Sequence, residues 1–154
     1  MQLLRTSNQD EQFVALTRQL DDELRQRYGE LQDLYTPHNR LDCIDTALLG
    51  VVEGQAVACG CFKWLDGQRA EVKRMFVHPQ WRRRGYSEQL LRALEAWARE
   101  LGVQQLLLET GRRQPEAIAL YEKALALSPR PRFTDPVNAI AQLRNRRDLP
   151  WPSV

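Results

Sequence analysis

The sequence has no apolar run long enough to cross a bilayer. Its first residues, Met1-Gln2-Leu3-Leu4-Arg5, carry neither the apolar stretch nor the cleavage site of a signal peptide. Cysteine is scarce: Cys43, Cys59 and Cys61 form an odd set without CxxC spacing. That argues against a disulfide framework and points to the cytoplasm. Cys59 and Cys61 share a strand face but lack the further ligands a metal site needs, so packing is their expected role and no metal is expected. Neither GxxxxGK[ST] nor GxGxxG occurs, which excludes a Walker loop and a dinucleotide fingerprint. There are no internal repeats. The net charge of +2 is too small to imply a nucleic-acid partner, and no aromatic platform is interleaved with the basic residues.

What remains is the composition of one folded domain. Hydrophobic residues make up 43% and charged residues 27%, as in a globular chain rather than a disordered one. The 154 residues suit a single domain over 1–154, with 144–154 as a tail. Charge is uneven. From Trp81 onward 13 basic residues face 8 acidic ones, a balance of +5, and the part before it carries −3. The basic excess is clustered in Arg82-Arg83-Arg84, Arg112-Arg113, Arg130 with Arg132, and Arg144 with Arg146-Arg147. Taken alone, each cluster reads as a solvated face.

Phe13, Leu16, Leu20 and Leu24 recur at spacings of three and four and predict a helix over 10–27, stopped at Gly29. A short helical stretch over 30–35 ends before Pro37. Leu48 to Glu53, Ala56 to Leu65 and Ala70 to Val77 read as three antiparallel strands, with Asp66-Gly67 as a hairpin turn. The strongest helical pattern runs from Ser87 to Leu101. Leu90, Leu91, Leu94, Trp97, Ala98 and Leu101 share one side, Ser87 is placed to cap the start, and Gly102 to take the exit. Gln105 to Glu109 reads as a strand buried on both faces, and Pro115 opens a helix to about Ala126. A last weak strand covers 137–143. The order is that of an α+β domain.

The segment between Val77 and Ser87 joins a strand to a helix through Gln80-Trp81-Arg82-Arg83-Arg84-Gly85-Tyr86-Ser87. A helix start presents free amides and the positive end of the helix dipole. Gly85 permits the turn, and the arginines add charge. Such a site suits a phosphate or pyrophosphate.

In context the loop resembles that of the GNAT superfamily of N-acetyltransferases. The run Glu71 to Pro79, the loop Arg82 to Ser87, the segment Leu107-Leu108-Glu109-Thr110-Gly111 and the stretch Gln114 to Lys123 follow the family's order. The resemblance is firm over about 48–124. It implies a mixed, mostly antiparallel sheet flanked by helices, with a splayed strand pair holding acetyl-CoA. The strand ending in Met75-Phe76-Val77 would part from its neighbour after Leu107. Arg82, Arg83, Arg84, Gly85, Tyr86 and Ser87 would hold the pyrophosphate, and Gln114 stands where many relatives have Asn. Tyr121 matches the tyrosine that many relatives aim at the cofactor sulfur, where a phenol can protonate the departing thiolate. Glu71 matches a position from which some relatives supply a base, and Glu109 on the next strand is the second candidate.

The implied reaction is acetyl transfer to the amine of a small-molecule acceptor, in a protein of a family with many homodimers. An acetyl-CoA binder with little catalytic activity and a protein N-acetyltransferase are the alternatives. Ser87 replaces the usual Gly or Ala, and Leu125-Ala126 stand where relatives have Gly and an aromatic residue. His78 is expected to be structural, and His38 lies in a loop placed to cover the acceptor pocket.

Overall fold

A computed structural model describes residues 1–29, 44–108, 110 and 113–126. The helical stretch expected over 30–35, the loop with His38, the carboxylate Glu109 and the strand expected over 137–143 lie outside the described residues.

The chain runs β1 (Gln2–Thr6), α1 (Glu11–Tyr28), β2 (Ala47–Val52), β3 (Gln55–Trp64), β4 (Arg69–Val77), a single 3-10 turn (Pro79–Trp81), α2 (Tyr86–Glu100), β5 (Gln105–Leu108) and α3 (Pro115–Ala126). The strands form one sheet in the order β1-β2-β3-β4-β5. Neighbours are antiparallel except β4 and β5, which are parallel. Parallel neighbours need a crossover, and α2 is that crossover. The result is the mixed, mostly antiparallel sheet flanked by helices that the sequence implied.

Two apolar layers hold the sheet. Phe13 and Leu16 of α1 pack on Ile44, Leu49, Cys59, Cys61 and Phe76. On the other face Leu90, Leu91, Leu94, Trp97 and Ala98 of α2 meet Phe62, Val72, Leu106 and Leu108. Each Leu or Phe fully buried there contributes about 1.5–3 kcal/mol. Cys59 and Cys61 are buried packing residues, as expected, and burial pushes the Cys61 thiol up to about 12. Gly60 has a spatial reason. A Cβ there would stand 2.8 Å from Met75 Sδ and 3.1 Å from Leu94 Cδ1, so the glycine lets α2 lie close to the sheet.

Three details differ from the sequence reading. The strand β1 was not anticipated; it pairs along all five of its residues with β2. Ser87 does not cap α2, which starts from Gly85 with no side-chain cap. In β5 only Leu106 and Leu108 are buried while Gln105 and Leu107 are half-exposed, so one face of that strand is covered and not two.

Candidate active site

Phe76 and Val77 end β4, and the chain then turns through Pro79–Trp81. His78 shapes this turn: its carbonyl accepts from the Trp81 amide (2.8 Å) and its Nδ1 from the Gln80 amide (3.4 Å). The histidine is structural, as the sequence suggested. Arg82 folds back. Its Nε donates to the Val77 carbonyl (2.8 Å), and its Nη1 and Nη2 donate to Glu23 Oε1 (3.2 Å) and Oε2 (2.5 Å) on α1. Arg84 goes the other way and lies 4.7 Å from the Trp81 ring, which in turn stacks on Tyr86. Three consecutive arginines therefore do not act alike.

At Gly85 the backbone is left-handed, with φ 76° and ψ 6°. A Cβ built there would meet nothing within 4 Å. The first backbone bond of α2 runs from the Gln89 amide to the Gly85 carbonyl (3.1 Å). Among the described residues no backbone acceptor and no capping side chain takes the amides of Arg83 to Glu88. A run of N–H groups beside open space, at a helix N-terminus and next to Arg83 and Arg84, could receive an anion.

The second feature is where β4 and β5 part. Among the described residues their ladder runs from Arg69↔Gln105 to Val72↔Leu108. β4 continues to Val77, so Lys73 to Val77 carry no β5 partner among the described residues. A bulge sits in this free stretch. The register shifts between Cys59 and Cys61, and Arg74 has φ 58°. The extra residue reverses the alternation. Val72 faces the α2 layer, and beyond the bulge Met75 and Val77 pack there while Phe76 turns to the α1 layer. Just past β5, the Thr110 hydroxyl oxygen is buried without a hydrogen-bond partner among the described residues. Leaving such a group unpaired costs about 1–3 kcal/mol, so a native structure keeps one only for a reason.

Tyr121, on α3, is 5% exposed and belongs to the core under α2. Burial alone pushes its phenol up, so it stays protonated at neutral pH. Glu71 lies on β4 opposite Leu107 and pairs with Lys73 Nζ at 2.9 Å, both side chains being less than 20% exposed. The Gln114 carbonyl accepts from the Ala117 and Ile118 amides (3.1 Å each), so this residue starts α3 through its backbone.

The acetyltransferase (GNAT) family matches residues 7–126. The chain belongs to this family. An IAA acetyltransferase of Azospirillum brasilense is 36% identical over 129 residues, covering 79% of this chain and 80% of that protein. A Klebsiella pneumoniae structure assigned to the acyl-CoA N-acyltransferases is 35% identical, with a TM-score of 0.63 over 79% of each chain. Ard1 from Thermoplasma volcanium, at 20% identity, shares the fold with a TM-score of 0.61 over 80% of each chain.

A GNAT acetyltransferase takes its acetyl group from acetyl-CoA, and this chain's residues fit that donor. The amides of Arg83 to Glu88 could hold a pyrophosphate, and the free edge of β4 and the Thr110 hydroxyl could meet the amide-bearing arm. Among the described residues no group of three His, Cys, Asp or Glu could hold a metal ion, and no helix is long and apolar enough to cross a membrane. Two residues of α1 that meet the loop and the start of α3 escaped the sequence reading: Glu23 and Arg27. Their i,i+4 spacing was the only local sign. Nothing in the sequence shows that Glu23 meets Arg82, 59 residues away.

Proposed function

We propose that this GNAT acetyltransferase transfers the acetyl group of acetyl-CoA to a primary amine of a small molecule in the cytoplasm, by direct attack of the amine on the thioester. The observation that carries the cofactor half is the amide run from Arg83 to Glu88 that no described acceptor takes, beside open space at Gly85 and following the end of β4, which has no β5 pairing among the described residues. The name of the relative at 36% identity, IAA acetyltransferase, favours a small-molecule acceptor over a protein.

In this reading the main-chain amides near Met75 and Phe76 polarise the thioester carbonyl, which gathers negative charge as the amine adds. Glu71, which the Lys73 ammonium holds in place at 2.9 Å, accepts the proton that the amine must lose, directly or through water. Glu109 is the second candidate for that role. Tyr121 supplies a proton to the departing sulfur; its buried phenol is protonated and so able to give one. One proton leaves the amine and one reaches the thiol, so charge is conserved overall.

Acetyl-CoA consumption measured against matched panels of small primary amines and of peptides with free N-termini tests the reading. Turnover is expected with small amines. Turnover confined to peptides would replace it with a protein N-acetyltransferase, and tight acetyl-CoA binding without turnover on either panel would leave a binding protein.

A further inference from the structure

The two strands, paired among the described residues as far as Val72 and Leu108, lead to two segments that would be the walls around the cofactor arm. β4 leads to Arg82, and β5 leads to Arg113 and Glu116 at the start of α3. Both walls reach the same two side chains of α1. Glu23 takes Arg82 from the β4 side. Arg27 pairs with Glu116 from the β5 side, and its Nη1 donates to the Arg113 carbonyl at 3.1 Å. Glu23 and Arg27 are themselves paired one helical turn apart. The connection is doubled by main-chain groups: Arg113 Nη1 donates to the Arg27 carbonyl (2.7 Å), and the Arg113 amide donates to the Tyr28 hydroxyl (3.2 Å). A continuous chain, Arg82–Glu23–Arg27–Glu116, thus crosses from one wall to the other.

We infer that Glu23 and Arg27 form a strap that fixes the separation of β4 and β5, and thereby positions the cleft for the acyl-bearing arm of acetyl-CoA. This rests on the cofactor reading given above. The physical case is one of preorganisation. Parallel strands that lose their ladder are free to close or to spread, and either movement misplaces a ligand that must pair with one strand edge while its head sits at the loop. The strap's members are only part-exposed: Glu23 is 20% and Arg27 24% exposed at the side chain. Water therefore competes less with the Glu23–Arg27 pair than with the Arg5–Glu100 pair, where both side chains are more than half exposed, while the outer Glu116 is 53% exposed. Arg82, one of the three loop arginines, is thereby a tether and not a phosphate ligand. Glu23 and Arg27 are positioning residues, since they act through the walls.

The test compares two ligands on the full chain by titration calorimetry. Acetyl-CoA needs both the loop and the cleft, whereas adenosine diphosphate needs the loop alone. Arg27→Gln is expected to weaken acetyl-CoA binding about fivefold or more and to leave adenosine diphosphate within twofold. Glu116→Gln, at a half-exposed surface position that the fold tolerates, is expected to move acetyl-CoA affinity in the same direction. Arg5→Gln breaks a remote ion pair and is expected to change neither affinity. Wild-type binding with unchanged acetyl-CoA affinity in Arg27→Gln and Glu116→Gln would overturn the strap alone. Equal weakening of both ligands would also overturn it, because the pairs would then act on the loop. No acetyl-CoA binding by the wild type would overturn the cofactor reading and the strap with it.

Discussion

Gly85→Ala separates the two things that this glycine does. The residue sits at φ 76°, where an L-residue with a Cβ is strained by about 1–2 kcal/mol. In the free protein that strain is the whole effect, because the added Cβ meets nothing within 4 Å. For a chain of this length about 1 kcal/mol lowers Tm by roughly 2–4 °C, so a fall of roughly 2–8 °C is expected. If the open space at Gly85 is where the pyrophosphate lies, the same methyl group intrudes on the ligand. Losing one or two charge-assisted hydrogen bonds, at about 1.5–3 kcal/mol each, would weaken acetyl-CoA binding at least tenfold.

Gly54 provides the control. It has φ 80°, it also has nothing within 4 Å of a built Cβ, and it lies in the turn between β2 and β3, away from the loop. Gly54→Ala is expected to cost similar stability and no affinity. The assay is a melting curve for each variant with a calorimetric Kd for acetyl-CoA. If Gly85→Ala melts like Gly54→Ala and still binds acetyl-CoA as the wild type does, the loop amides are not the pyrophosphate seat.

Tyr121→Phe keeps the buried ring and removes only the hydroxyl, so we expect kcat to fall about 10²-fold or more with little change in acetyl-CoA Kd; an unchanged kcat removes the phenol from the acid role. Because burial raises the Tyr121 phenol above its ordinary value of 10.0, wild-type kcat should show no loss near pH 10 from phenol deprotonation, and a loss there that Tyr121→Phe abolishes would contradict the burial argument. Thr110→Val removes an unpaired buried hydroxyl at nearly constant volume, so the free protein should be as stable as the wild type or slightly more so. If that hydroxyl meets the cofactor arm, the same change should weaken acetyl-CoA binding by about 0.5–1.5 kcal/mol in calorimetry, and an unchanged Kd would leave the hydroxyl without a ligand role.

The helix α2 was legible because five buried residues repeat on one face, a pattern set by burial against a broad sheet. The antiparallel hairpins were legible from alternation and from Asp66, whose carboxylate accepts from the Gln68 and Arg69 amides and closes the turn. β1 was not, since Gln2-Leu3-Leu4-Arg5-Thr6 is a short edge strand whose partner lies about 45 residues ahead and which buries no residue fully. The bulge at Arg74 was also invisible. Positive φ is usually signalled by glycine or asparagine, and an arginine held there by its neighbours gives no such sign. Yet that bulge turns Phe76 into the α1 layer, so the sequence reading could name the residues along the cleft without knowing which way they face.

The arginine loop shows why local sequence reading overcounts charge. Arg82, Arg83 and Arg84 were read as three positive groups gathered for phosphate. Arg82 is held by Glu23, whose carboxyl burial pushes up but Arg82 and Arg27 pull below its ordinary value, so the carboxylate stays charged at neutral pH. An ionised pair adds little net field at the loop. Two arginines remain, and one of them, Arg84, lies against the Trp81 ring. If the loop seats a pyrophosphate, that seat depends chiefly on the directed amides from Arg83 to Glu88 and less on accumulated charge. Amides in a fixed turn favour an anion of the right shape, whereas three mobile guanidinium groups would accept almost any. The same ion pair that subtracts charge from the loop ties it to α1. If the loop seats a pyrophosphate and the strap holds, its selectivity and the rigidity of the cleft thus follow from one contact between residues 23 and 82.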